Sequence, residues 1–265
     1  MKSPAERTRL IWNADRFEAL ERIRAVLQES EFQPLYASYI AYLELRERGL
    51  RKQSFAQLDA FIEQIVSDPF EVRLSVVRHL IGAIERYWNR WPAPDNWQLP
   101  EQAFQRLIGP LWQEWRQREP ANPEAWVYGF GNLSHDVDGS EVAFLLDPTH
   151  PRYQYAHLDG LCHQLNYELH ELGHIGRILC VPEHFSELTS SVSAVAEAIG
   201  DNMTDEVTQT PAKLNELAVA YRNHQEDSGT FLRELLRLGR QDLVDFPILP
   251  ARRWFRALPT SLFDG

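Results

Sequence analysis

Five consecutive residues, His170-Glu171-Leu172-Gly173-His174, have the types and spacing to do chemistry. Two histidines four apart on a helix share a face, and paired imidazoles can hold a zinc ion. A glutamate beside the first can act as the base that activates metal-bound water. On a wheel turning about 100° per residue, Leu158, Leu161, Leu165, Leu169 and Leu172 gather on one side, and His163, Tyr167, His170 and His174 on the other. The spacing predicts one helix from Leu158 to His174 with a polar face turned away from its apolar stripe. That face supplies the candidate binding residues: His163, Tyr167, His170 and His174.

The segment resembles the active-site helix of thermolysin-like gluzincins. The resemblance implies a third ligand, a glutamate on the next helix, and an aspartate one turn later that orients a ligand histidine. Downstream stands Ala196-Glu197-Ala198-Ile199-Gly200-Asp201. The implied zinc set is therefore His170, His174 and Glu197, with Glu171 as general base and His224 as a group to polarise an oxyanion. Several residues depart from that pattern. Glu168 places a charge where such helices keep uncharged residues, and Gly173 and Gly176 weaken the helix where rigidity is needed. No edge strand is evident to hold an extended substrate. The longer metzincin pattern fails, because Arg177 and Cys180 occupy its glycine and third-histidine positions.

Elements that must position these residues read as helices nearly throughout. A small polar residue followed by proline recurs at Ser3-Pro4, Asp68-Pro69, Asn122-Pro123 and Thr210-Pro211. The polar oxygen can accept an orphan N–H, and proline in the first turn loses nothing by lacking its own. Ser54 with Gln57 has capping-box spacing. Apolar stripes at helical spacing run through Phe17, Leu20, Ile23 and Leu27, and through Phe55, Leu58, Phe61, Ile62 and Ile65. Further stripes are Phe70, Leu74, Val77, Ile81 and Ile84, and Phe185, Leu188, Val192, Val195 and Ile199. Pro110 must kink or split the helix through Phe104 and Trp115. A late helix from Leu214 to Leu235 carries an expected interruption near Gly229, and Gly129 to Gly139 reads as a loop.

Two stretches, Arg118 to Trp126 and Leu146 to Tyr153, resemble the junctions between tetratricopeptide-type units. In each, a proline closes one helix pair, and a cap (Asn122 or Thr149) with a second proline opens the next. They lie 28 residues apart, short of the family period of about 34. The resemblance implies an α-solenoid-like stack with a concave face for a peptide or protein, and no catalytic site.

Bulk composition sets further bounds. The 265 residues include 27 basic and 38 acidic ones, for a net charge of −11, which argues against nucleic acid as a partner and suits a basic protein. Two cysteines, Cys162 and Cys180, form no metal or redox pair and point to a reducing compartment. The first ten residues are charged, and no apolar run spans a membrane, so the expected location is cytoplasmic.

The fold expected is all-α, an irregular stack of antiparallel helical hairpins. Residues 1–91 and 100–245 are expected as two helical subdomains, or as one continuous domain, with an irregular tail over 246–265 and a linker from Trp91 to Pro100. The function favoured is a non-enzymatic protein-binding module, of adaptor, chaperone or inhibitor type, with no cofactor and no catalytic residue. The alternative is a gluzincin-type zinc peptidase.

Overall fold

Helix-forming stripes turn into helices wherever the chain can bury them. The computed structural model describes residues 14–88, 99–127, 137–224, 230–244 and 247–257. Among these the class is all-α, and the only β-type pairing is an isolated bridge between Met203 and Phe255. The Ser3-Pro4 start, most of the Trp91–Pro100 segment, most of the Gly129–Gly139 loop and Gly229 lie outside the described residues. The described chain falls into two compact units, one ending at Pro120 and one beginning at Ala121.

The first unit holds α1 (Ala14–Glu29), α2 (Gln33–Glu47), α3 (Arg51–Val66), α4 (Phe70–Trp88) and α5 (Gly109–Arg118). Helices α2 and α3 form an antiparallel hairpin turned by Gly49, whose φ of 71° a side chain rarely adopts. Their shared face is aromatic: Tyr36, Tyr39, Tyr42 and Phe61 are all fully buried, with the Tyr39 and Phe61 rings 5.2 Å apart. Tyr36 keeps its hydroxyl satisfied by donating to the Val76 carbonyl oxygen at 2.8 Å, which ties the hairpin to α4. Arg106 with Asp59, and Arg73 with Glu114 at 2.8 Å, join the residues after 100 to this same unit.

One local expectation changes on folding. Ser54 does not start a helix: α3 already begins at Arg51, and the Ser54 hydroxyl is buried, donating to the Arg51 carbonyl at 2.7 Å. Pro110 stands in the first turn of α5, where the helical run is divided. A π-helical turn over Phe104–Ile108 widens the backbone before α5, which accommodates a ring that lacks an N–H and crowds the preceding carbonyls.

The second unit holds α6 (Val137–Leu146), α7 (Pro151–Leu169), α8 (Pro182–Ile199), α9 (Thr210–Arg222) and α10 (Phe231–Arg237). Leu158, Leu161 and Leu165 of α7 interlock with Phe185, Val192 and Val195 of α8 and with Leu214 and Leu217 of α9. Residues 247–257 pack back as an irregular strap: Trp254 and Phe255 enter this core, and the Thr204 N–H donates to the Trp254 carbonyl at 2.8 Å. The cap of α7 is His150, not Thr149. Its ring Nδ1 accepts from the Arg152 N–H at 3.2 Å, while Thr149 is held by Asp147. Asn122 does cap, accepting from the Glu124 N–H at 3.0 Å. No helix among the described residues is long and apolar enough to cross a membrane.

Because Phe61 meets two buried tyrosines, Phe61→Ala should cost about 3–5 kcal/mol in the first unit. Urea unfolding followed by tyrosine and tryptophan fluorescence reads that loss as a lower midpoint.

Candidate functional site

The polar residues nominated by the sequence separate into two places. Helix α7 stops at Leu169, and a separate turn of helix, Leu172–Ile175, follows it. His170 is the C-cap of the first and Glu171 the N-cap of the second, so the single helix expected from Leu158 to His174 does not form. Both linking residues keep right-handed helical backbone, His170 at φ −62°, ψ −24° and Glu171 at φ −91°, ψ −6°, so the interruption is a local loosening between Leu169 and Leu172. His170 Nε2 faces Glu171 Oε1 at 3.2 Å, while its Nδ1 meets the Tyr167 carbonyl. His174, Glu197 and Asp201 are exposed. His224 pairs with Glu234. Among the described residues no three His, Cys, Asp or Glu side chains gather as a metal-holding group.

The short helix has a defined stop. Gly176 adopts φ 76°, which closes the short helix in the left-handed conformation. A Cβ there would stand 2.9 Å from Thr230, so only glycine fits. The chain then turns back, with the Leu179 N–H donating to the Glu168 carbonyl at 3.1 Å and the Tyr221 hydroxyl donating to the Cys180 carbonyl at 2.8 Å.

His163 and Tyr167 lie elsewhere, along a groove of about 960 Å³ walled by α6, α7 and α8. Its floor is a straight stripe on α7: His157, Leu161, Gln164 and Glu168, at i, i+4, i+7 and i+11. Asp138 and Glu141 on α6, and His184 and Glu187 on α8, complete the walls. Gln164 Nε2 and His184 Nε2 meet at 2.9 Å, linking α7 to α8. Tyr167 stands on the rim, 62% exposed. Among the described residues, four carboxylates line the groove, and no lysine or arginine does.

Two floor residues are buried with an unsatisfied atom. His157 is 3% exposed and stacks on Phe144 with ring centroids 5.3 Å apart, yet its Nδ1 has no hydrogen-bond partner. Burial holds the ring neutral, bringing its pKa down to about 4. Glu168 is 8% exposed, and its Oε2 has no partner. Burial first, and then the Glu168 carboxylate beside it, push the Cys180 thiol up to about 12. Neither His157 nor Glu168 was nominated from sequence as a binding residue. The available signal was a polar residue at each end of a stripe that otherwise reads as ordinary helix face.

Known family patterns, characterised proteins and solved structures offer no match to this chain. The class the structure defines is thus all-α with stacked helices, and the groove has to be read from its own chemistry.

Gly176→Ala should cost about 1–2 kcal/mol from the left-handed backbone alone, before the Thr230 clash adds to it. Gly173→Ala meets nothing within 4 Å and should be neutral or stabilising by up to about 1 kcal/mol. Paired thermal melts decide this, and equal losses would contradict the stop described above.

His157 gives a pH signature. Between pH 6.5 and about 4 the unfolded chain takes up a proton that the folded ring refuses. The stability of the second unit should therefore be complete above that window and fall as pH drops through it, by about 3 kcal/mol in all. His157→Phe should flatten that part of the pH profile. An NMR midpoint near 6.5 for the wild-type ring would contradict it.

Proposed function

We propose that this chain is a protein-binding module that docks a partner in the groove walled by α6, α7 and α8, without chemistry of its own. The observation that carries the reading is the groove itself: about 960 Å³, open along α7, with an exposed tyrosine on its rim. Aromatic rim residues beside a partly apolar trough are the usual anchors of protein recognition. Leu161 and Leu188 supply apolar contact in the groove, and its carboxylates suit a basic partner.

The test places a photo-crosslinking amino acid at Tyr167 and fills the groove with Ser191→Trp. Wild-type protein should crosslink one partner in stoichiometric yield in the cells that express it. The filled variant, melting at an unchanged temperature, should lose that partner, while Arg22→Ala on the first unit should retain it. A partner retained by the filled variant would overturn the reading. So would peptide hydrolysis by the purified protein that disappears in Glu171→Gln.

A further inference from the structure

The groove offers a ligand very little hydrogen bonding for its main chain. Its walls, α6, α7 and α8, are helices whose N–H and C=O groups bond along their own axes. No strand edge faces it among the described residues. The polar atoms at the two ends of the floor are sealed as well. His157 Nδ1 and Glu168 Oε2 lie out of reach of solvent, and the Glu168 carboxylate has the Cys180 thiol as a hydrogen-bond partner. Other polar groups along the trough are taken up by the protein. Gln164 and His184 hold each other at 2.9 Å, and the Ser186 and Ser190 hydroxyls donate to helix carbonyls at 2.8 and 2.7 Å.

An extended segment laid here would take its own N–H and C=O groups out of water without partners, which is costly. A helix satisfies those groups internally and presents only side chains. Two helices packed side by side also present the grooves into which the ridges of a third settle.

What such a helix meets is set by the groups that stay in water. Asp138 and Glu141, about one turn apart, are exposed on the α6 wall. On the α8 wall Glu187 stands 3.6 Å from His184 Nδ1, with 77% of its side chain still exposed. The Tyr167 ring on the rim is the large apolar surface left open. Carboxylates on both walls, beside one open ring, match a ligand helix whose apolar stripe is edged by cations on both sides.

We propose that the groove receives an amphipathic basic helix of a partner protein, its apolar stripe against Tyr167 and its flanking lysines or arginines paired with Asp138, Glu141 and Glu187. The inference rests on the docking role assigned to the groove and adds the form and charge of the ligand. Affinity falls with added salt, because all three carboxylates are open to water and screened.

Selection of random sixteen-residue peptides displayed on phage against the full-length protein tests this, with Kd measured by fluorescence anisotropy of labelled winners. Expected winners repeat apolar residues at three- and four-residue steps with lysine or arginine beside them, and gain helical circular dichroism on binding. A proline placed at the centre of a winner should weaken it about tenfold or more. Asp138→Asn, Glu141→Gln and Glu187→Gln combined should weaken it about tenfold, whereas Glu71→Gln on the first unit should leave it unchanged. Winners without basic residues, winners that tolerate the central proline, or winners indifferent to the three neutral substitutions would each overturn the proposal. Where such winners are still lost in Ser191→Trp, the docking groove stands and only its basic helical ligand falls. Winners that survive Ser191→Trp bind elsewhere and remove the docking role too.

Discussion

The second unit depends on a reversal of chain direction between Leu169 and Pro182. Helix α7 must stop so that α8 can start and pack beside it, and the groove exists because the two helices leave space between their outer faces. Gly176 makes the stop possible. Its left-handed backbone ends the short helix, and its missing side chain lets Thr230 and Leu232 come close. The Leu232 N–H to Gly176 carbonyl contact, at 3.4 Å, fastens the turn to α10. The same turn buries Glu168, since the returning strand of Leu179 and Cys180 passes directly over the end of α7. A charged residue is thereby taken out of water by a glycine eight positions further on.

That reversal also bears on the histidine pair. The H-E-x-x-H spacing implies one face only if the helix is continuous. Nothing in residues 170–174 breaks a helix outright, and Gly173 is in fact helical. The stop at Gly176, after the second histidine, is set by a tertiary contact with Thr230, which lies far along the chain. Sequence pattern is local, whereas the steric demand on Gly176 is not. Of the two glycines, Gly173 lies within the short helix and Gly176 ends it, while the interruption at His170 and Glu171 precedes both.

The fold class was readable because apolar spacing is a direct record of burial. Leu20, Ile23, Leu58, Phe61, Val77, Ile81, Val192 and Val195 were placed inward from spacing alone, and all are buried. Caps were less legible. Thr149 yielded to His150 because an imidazole nitrogen accepts an N–H as well as a hydroxyl oxygen does, and His150 directly precedes the proline. Ser54 lost its role because the helix starts a turn earlier, where the Leu50 carbonyl already receives the Ser54 N–H. Helix ends are decided by such small preferences, and packing settles them.

His163 and Tyr167 were found from the wheel, whereas His157 and Glu168 were not, and the difference is one of environment. The wheel sorts residues by polarity, so it finds polar groups that stay wet. It cannot find polar groups that fold inward. Their position on one stripe with Leu161 means that α7 gives up core-like packing there for a mixed surface, with a ring and a carboxylate held dry and incompletely bonded. A helix optimised for stability alone would carry leucine or alanine at both positions, since burying an unsatisfied polar atom works against folding. The second unit tolerates the cost because its core, from Leu158 through Trp254, is large and contiguous.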